Sequence, residues 1–331
     1  MNKIGNKGIY NLGNTCYMNS IIQCLVHIPQ LKTNKIKKEL QNNNILTNKD
    51  IIKEWINIQN IIWSNNESNI DLRKFLSIFI NKCNENNLYF ETFDQNDASE
   101  FLILIIELLH QCLKRKITVT IEGEAKTEYD KLKLKNIESW KRFFLNNYSY
   151  IIENFYSESI TFTSCSNCDY YTTNHEPIMI ISLTLKNEFN DIYDSLDDYI
   201  DKKELDINNQ WKCDKCKKLN CSYQKTIFWD LKSIIIFQIK QYDNLNKINK
   251  HINYPLELDM SKYCINKGDL KYQLYGTCIQ LGNLNGGHYY SKCFNSNDNQ
   301  WYKYNDLNIE KLTDDNILND SPYCLFYVKR N

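Results

Sequence analysis

The sequence has few prolines and glycines, no excess of either charge, and no long apolar run. Only 4 prolines and 9 glycines occur in 331 residues, and no segment rich in either forms a linker, so we expect one compact unit. Lys plus Arg and Asp plus Glu number 40 each, which excludes a general attraction to nucleic acid or to an anionic membrane surface. The longest apolar run, residues 101–109, is interrupted by Glu107 and is far shorter than a membrane span of about 20 residues.

A secretion signal is also missing, because the first residues, MNKIGNKGIYN, contain no apolar stretch. The 13 cysteines are an odd number and are spread through the chain without the density of a disulfide scaffold. We therefore expect an intracellular protein, cytoplasmic or nuclear, with reduced thiols. Hydrophobic residues make up 42% of the chain, enough for a substantial core.

Two hydrophobic patterns predict an α+β fold. Up to about residue 115, apolar residues recur at helical spacing, most clearly in residues 98–109, where Asp94 or Asn96 can cap the start of the helix. From about residue 150, alternating and β-branched segments predict strands. The charged residues 114–145 lack a clear pattern and predict an exposed excursion.

Cys16 lies where a Gly/Asn-rich loop turns into an amphipathic helix. The apolar residues that follow it recur at helical spacing, and Pro29 ends the run. A helix N-terminus presents unsatisfied N–H groups and partial positive charge, which favour a thiolate. Cys16 is therefore a candidate nucleophile, provided that the chain supplies a base.

The base can be sought among only five histidines. His27 is on the same helix as Cys16, eleven residues further on and hence about 16 Å away, too far for a hydrogen bond. His110 ends an apolar helix and is expected at the surface or at its boundary, and His175 and His251 lie in polar connections without a pattern. His288 follows the glycine-containing loop GNLNGG and opens an alternating strand, which makes it the best candidate.

A polar group is predicted beside His288. If the strands around the turn NSNDNQ pair Phe294 with Trp301, Asn305 and Asp306 fall within about two residues of the imidazole across the hairpin. Such a group would hold the ring in the orientation that a Cys–His pair requires.

Two CxxC knuckles predict a structural zinc site. Cys165 and Cys168 form the first knuckle, and Cys213 and Cys216 form the second. Four thiolates complete a closed tetrahedral zinc site with no position for a water molecule. The residues between the knuckles must contain structure of their own, which we expect to be strands around IMIISLTL, residues 178–185.

Together these segments resemble the ubiquitin-specific proteases, the papain-like deubiquitinating cysteine peptidases. GIYNLGNTCYMNSIIQCL is similar to the cysteine box of that family, QNDASEFL to its acidic motif, and YGTCIQLGNLNGGHYYSKC with WYKYND to its histidine box. With the two knuckles, the motifs follow the family order from residue 8 to residue 328. The resemblance implies one catalytic domain over residues 1–331, with a helical thumb (about 1–145), zinc-bearing β fingers (146–235) and a β palm (236–331).

The resemblance also implies roles for individual residues. Cys16 would be the nucleophile, His288 the general base and Asn305 the orienting residue, with Asp306 sharing or replacing that last role and Asn11 helping to bind the oxyanion. The residues expected to contact substrate are Gln95, Asp97, Glu100, Gly286, Gly287 and Tyr289. The implied activity is hydrolysis after the C-terminal glycine of ubiquitin, from ubiquitin or polyubiquitin conjugates, by a monomer with one structural zinc and no catalytic cofactor.

Two other functions are compatible with the same motifs. One is a catalytically inactive module that only binds ubiquitin, although intact Cys16, His288 and Asn305 argue against it. The other is a peptidase for a different ubiquitin-like modifier, because QIKQY at residues 238–242 and Trp229–Asp230 depart from the family pattern near loops expected to face the substrate. A general papain-type endopeptidase is disfavoured by the zinc knuckles.

Overall fold

A computed structural model describes residues 4–42, 49–66, 68–90, 96–243, 246–248, 250–283 and 286–330. The helices are α1 (Cys16–His27), α2 (Thr33–Asn42), α3 (Lys49–Ile62), α4 (Arg73–Glu85), α5 (Ala98–Leu113), α6 (Glu128–Phe144), α7 (Tyr150–Phe155) and α8 (Ile192–Ile200). The first strands are β1 (Ser157–Ser164), β2 (Tyr171–Ile178), β3 (Ile180–Thr184), β4 (Lys203–Glu204), β5 (Trp211–Lys212), β6 (Leu219–Asn220), β7 (Tyr223–Asp230) and β8 (Ile234–Lys240). They are followed by β9 (Tyr242–Asp243), β10 (Asn246–Lys247), β11 (Glu257–Asp259), β12 (Lys271–Asn283), β13 (Gly286–Asn295), β14 (Gln300–Asn305), β15 (Asn308–Lys311) and β16 (Cys324–Lys329).

The helical half surrounds α1, every residue of which is buried. Helix α1 packs against α5 on one side and against β12, β13 and β14 on the other, so it joins the helices to the sheet. Helix α5 is capped by Asp97, whose carboxylate accepts hydrogen bonds from the N–H groups of Ser99 and Glu100. The expectation that Asn96 caps this helix is wrong by one residue, and Asp94 lies outside the described residues.

An eight-stranded sheet forms the palm, in the order β15-β14-β13-β12-β16-β8-β3, with β11 also paired to β12. All pairs are antiparallel except β3 with β8, which are parallel. The predicted pairing of Phe294 with Trp301 is confirmed. Side chains alternate between two cores along β8: Ile234 and Ile236 face the helices, whereas Ile235 and Phe237 face the opposite side of the sheet.

A smaller sheet, in the order β2-β1-β7-β4, forms the fingers, and β5 pairs with β6 as a separate hairpin at the cysteine knuckles. The strand expected from IMIISLTL exists, but as β3 it pairs with β8 in the palm sheet and not within the fingers. Helix α8, which was not predicted, follows it. The proposed boundaries of thumb, fingers and palm therefore stay a prediction, and residues 180–184 belong to the palm sheet.

The expectation of an exposed excursion at residues 114–145 is wrong for its second half, which forms α6. A capping box between Thr127 and Asp130 starts this helix. Its buried face is largely polar: Ser139 donates a hydrogen bond of 2.7 Å to the carbonyl of His175 on β2, and Asn136 donates to Glu158 on β1. Since polar residues cover this face, the sequence shows no apolar stripe there. No helix in the described part of the chain has the length and apolar character to cross a membrane.

Candidate active site

Cys16 is the first residue of α1 and is 3% exposed. Thr15, the N-cap residue, makes no side-chain hydrogen bond to the helix. Its hydroxyl accepts instead from the N–H of Leu12 (2.9 Å) and bonds to Oδ1 of Asn11 (3.3 Å). The positive end of a buried helix therefore lies at the sulfur, an environment that stabilises a thiolate.

His288 lies at the start of β13, the strand against which α1 packs. Its Nε2 is 2.5 Å from Oδ1 of Asn305, the last residue of β14. An amide oxygen can only accept, so Nε2 carries the proton and Nδ1 keeps the lone pair that a general base needs. The predicted histidine–asparagine pair is thus present.

Asp306 points to a different part of the site. Its backbone has φ +52°, and its carboxylate accepts hydrogen bonds from Nδ2 of Asn11 (3.0 Å) and Nδ2 of Asn19 (2.7 Å). Oδ1 of Asn11 accepts from the N–H of Thr15 at 3.1 Å, which fixes the amide so that its NH₂ group faces Asp306. The two adjacent residues therefore bond to different elements: Asn305 to β13, and Asp306 to α1 and the segment before it.

Asp97 has a structural role in the free protein. One carboxylate oxygen caps α5, and the other accepts from the hydroxyl of Tyr323, which precedes β16. Gln238 of β8 donates to both Ser99 (2.8 Å) and Tyr323 (3.1 Å), so this network joins α5 to the palm sheet. Glu100 is exposed beside it. Gln95, the remaining acidic-motif candidate, lies outside the described residues.

The other predicted substrate residues lie near His288. Gly286 and Gly287 open β13, and Gly287 pairs with Gly282 of β12. Tyr289 is only 3% exposed and its ring is 5.8 Å from that of Tyr323, so its side chain belongs to the core. Burial accordingly raises the pKa of Tyr289.

The four knuckle cysteines converge at the tip of the fingers. Their sulfurs all lie within 4.8 Å of one another, with 3.8 Å between Cys165 and Cys216 and 3.7 Å between Cys168 and Cys213. A tetrahedral zinc bound at about 2.3 Å by four sulfurs requires separations of about 3.8 Å, so the cluster fits this ion. Desolvation raises the pKa of Cys165, but hydrogen bonds from the Asn167 amide and neighbouring thiols outweigh it and lower the pKa to about 6.

Three of the other four histidines, His27, His110 and His175, are buried and bonded elsewhere. His27 is buried between the carbonyl of Gln23 (2.8 Å) and the hydroxyl of Tyr304 (3.1 Å), consistent with its elimination as a base. The expectation of a surface or boundary position for His110 is wrong, since it is buried (5% exposed) and bonds to Ser149 at 2.7 Å. Likewise, His175 lies in β2 and not in a connection, and burial lowers its pKa to about 4.

The chain matches a known protein family. Residues 7–327 match the family described as ubiquitin carboxyl-terminal hydrolase. The chain belongs to the ubiquitin carboxyl-terminal hydrolase family. None of its 13 cysteines forms a disulfide in the structure.

Two relatives in the family differ in the share of their length that this chain covers. It is 28% identical over 360 residues to ubiquitin carboxyl-terminal hydrolase 4 of Saccharomyces cerevisiae (strain YJM789), covering 97% of this chain but 39% of the yeast protein. It is 26% identical over 429 residues to probable ubiquitin carboxyl-terminal hydrolase R319 of Acanthamoeba polyphaga mimivirus, covering 99% of this chain and 91% of the viral protein. The chain thus spans about two fifths of the yeast hydrolase.

A solved structure shows the same fold. A chain of the SAGA DUB module Ubp8/Sgf11/Sus1/Sgf73 bound to monoubiquitin superposes with a TM-score of 0.76 at 23% identity, over 100% of this chain and 71% of that one. The predicted fold, a papain-like α+β peptidase with thumb, palm and fingers, is therefore confirmed.

Two residues of the candidate site were not predicted from the sequence. Asn19 lies one helical turn after Cys16 and is buried (3% exposed) in an otherwise largely apolar helix, a signal that could have pointed to a polar partner. Tyr323 precedes a run of buried residues and gives no such signal, because aromatic residues are common at the ends of strands.

Proposed function

We propose that this chain is a deubiquitinase that hydrolyses the peptide or isopeptide bond after the C-terminal glycine of ubiquitin. The observation that carries the proposal is the hydrogen bond between His288 and Asn305 on strands that pack against the helix starting at Cys16. A nucleophile, a base and an orienting amide on the fold of a ubiquitin carboxyl-terminal hydrolase support thiol-dependent acyl transfer.

In the proposed reaction, Sγ of Cys16 attacks the carbonyl carbon of the terminal glycine. Nδ1 of His288 takes up the thiol proton and gives it to the departing lysine amine as the C–N bond breaks. The remaining thioester is hydrolysed by water, with His288 removing the proton of that water. Asn305 holds the imidazole in the tautomer required for both steps.

Asn11 and the first turn of α1 are the proposed oxyanion donors. The Nδ2 group of Asn11 has two hydrogens, and Asp306 accepts only one of them. The second is available for the negative oxygen of the tetrahedral intermediate, where one fixed donor contributes about 3 kcal/mol. Asp306 and Asn19 therefore act as positioning residues.

Cys165, Cys168, Cys213 and Cys216 would hold a structural zinc ion. With four sulfur ligands the ion would have no position for water, and its contribution would be to tie the ends of the finger strands together. An intracellular location and a monomeric state stay predictions.

The direct test is labelling with ubiquitin that carries a C-terminal electrophile in place of its last glycine. We expect the purified chain to gain the mass of one ubiquitin, attached at Cys16 by peptide mapping. Probes made from other ubiquitin-like modifiers serve as the comparison. Faster labelling by one of these would favour a different modifier, and binding of ubiquitin without labelling would favour the inactive binding module.

The roles of Asn305 and Asp306 can be separated by a double-mutant cycle. Asn305→Ala and Asn11→Ala are each expected to lower kcat about 10²-fold with little change in KM. Because Asp306 acts through Asn11, Asn11→Ala/Asp306→Ala is expected to be no slower than Asn11→Ala alone.

The contrasting combination is Asn11→Ala/Asn305→Ala, whose losses in kcat should multiply because the two residues have different partners and act independently on the same transition state. Asn308→Ala, an exposed change at the start of β15, is the matched control and should leave kcat unchanged. If Asn11→Ala/Asp306→Ala instead loses kcat by the product of the two single losses, Asp306 does not act by positioning Asn11.

A further inference from the structure

A small uncharged surface borders the catalytic residues on one side. Tyr10 is 45% exposed and Leu307 is 41% exposed, large values for apolar side chains. They are the chain neighbours of Asn11 and Asp306, which are joined by the hydrogen bond of 3.0 Å described above. We call Tyr10 and Leu307 the leaving-side patch.

The backbone beneath the leaving-side patch is fixed. The N–H of Ile9 donates to the carbonyl of Asp306 (3.0 Å), and the N–H of Tyr10 donates to the carbonyl of Ile70 (2.9 Å). Gly8 packs so closely that an added Cβ would lie 2.8 Å from the backbone of Leu307. The two apolar side chains are therefore presented by a rigid pair of segments.

The order of the palm strands places this patch relative to His288. One end of the palm sheet is marked by a residue from each of five strands. In spatial order these are Gln238 of β8, Cys324 of β16, Gly282 of β12, His288 of β13 and Asn305 of β14. Along that end, the network of Asp97 with Tyr323 lies on the β8–β16 side of β13, whereas Leu307 lies beyond β14. The acidic motif and the leaving-side patch thus flank His288 on opposite sides.

From this arrangement we propose that Tyr10 and Leu307 bind the polypeptide around the lysine of the leaving protein and favour apolar residues next to that lysine. The inference rests on the proposed function: the ubiquitin tail approaches over Asp97 and Glu100, its carbonyl reaches Cys16, and the bonded lysine must continue beyond β14. Residues 8–15 and 307–309 carry no charged side chain, and the charge of Asp306 is already taken up by two amides. Apolar side chains would bury surface there, whereas acidic ones would lose hydration without gaining a partner.

The test compares two substrates that share ubiquitin but differ in the leaving group. One is ubiquitin aminomethylcoumarin, and the other is ubiquitin joined by an isopeptide bond to the lysine of a fluorescent peptide, with either leucine or glutamate on both sides of that lysine. The wild-type chain is expected to cleave the leucine-flanked conjugate with about tenfold higher kcat/KM than the glutamate-flanked one.

Two variants make the assignment specific. Tyr10→Asn/Leu307→Asn should abolish the tenfold preference while changing kcat/KM for the coumarin substrate less than about twofold. Leu307→Lys should shift the preference towards glutamate flanks, a gain that misfolding cannot produce. Leu219→Asn, which alters a residue 62% exposed at the tip of the fingers, is the matched control and should keep the wild-type preference.

The outcomes separate this inference from the proposed function. A wild-type chain inert towards both kinds of substrate would overturn both. A chain that turns over the coumarin substrate but shows no preference between the two peptides, or keeps its preference in the double variant, would overturn the leaving-side patch alone. An equal loss on all substrates in the double variant would also overturn it, because the residues would then serve the ubiquitin side.

Discussion

Replacement of Cys16 with alanine is expected to lower kcat for ubiquitin aminomethylcoumarin by about 10⁴-fold or more while ubiquitin still binds. Alanine removes the sulfur that forms the thioester, and neither His288 nor the oxyanion donors can form a covalent intermediate in its place. The side chain of Cys16 is small and 3% exposed, so the change leaves the shape of the site nearly intact. Steady-state turnover and calorimetric binding of ubiquitin measure the two quantities separately.

Cys24→Ala is the matched control for this result. Cys24 lies on the same helix, is fully buried, and contacts the sulfur of Cys293 at 4.0 Å. Its loss is expected to cost about 1 kcal/mol of folding free energy by leaving a small cavity, with kcat unchanged. Turnover by Cys16→Ala above about one per cent of the wild-type rate would contradict the assignment of the nucleophile.

Loss of the knuckle metal is expected to have the second largest effect. Inductively coupled plasma mass spectrometry should find one zinc per molecule in the purified chain and none in Cys213→Ser. A four-sulfur zinc site contributes roughly 10 kcal/mol to the folding of the segments that it joins, so the variant should unfold locally in the fingers. Hydrogen exchange at β1, β2 and β7 would report this opening directly.

Cys221→Ser provides the control for the metal site. Cys221 is close to the knuckles in sequence, but its sulfur accepts a hydrogen bond from Gln210 (3.7 Å) and it is not among the four clustered cysteines. We expect this variant to retain zinc and normal hydrogen exchange in the fingers. Stoichiometric zinc in Cys213→Ser would show that the cluster is not the binding site.

The parts of the site that could be predicted from sequence depend on local geometry. The distance from Cys16 to His27 follows from the helical rise, and the neighbourhood of His288 and Asn305 follows from a hairpin register with one plausible turn. Sequence could not separate Asn305 from Asp306. The positive φ of Asp306 turns its side chain towards Asn11 and Asn19, and this turn depends on how the loop packs against the N-terminal segment.

The parts that could not be predicted depend on contacts between distant segments. Strand β3 pairs in parallel with β8, about fifty residues later, so its apolar pattern alone could not assign it to one sheet or the other. Helix α6 buries polar residues that find partners such as His175 on the fingers, so its pattern resembles that of a solvated segment.

The position of β16 has a consequence for biosynthesis. This strand, Cys324–Lys329, lies between β12 and β8 near the middle of the palm sheet, and five of its six residues are buried. During translation the helices and the other strands leave the ribosome before it, yet in the described sheet β12 and β8 are joined only through β16. We therefore expect the central part of the palm sheet to form only after residue 329 has left the ribosome, late in the synthesis of this domain.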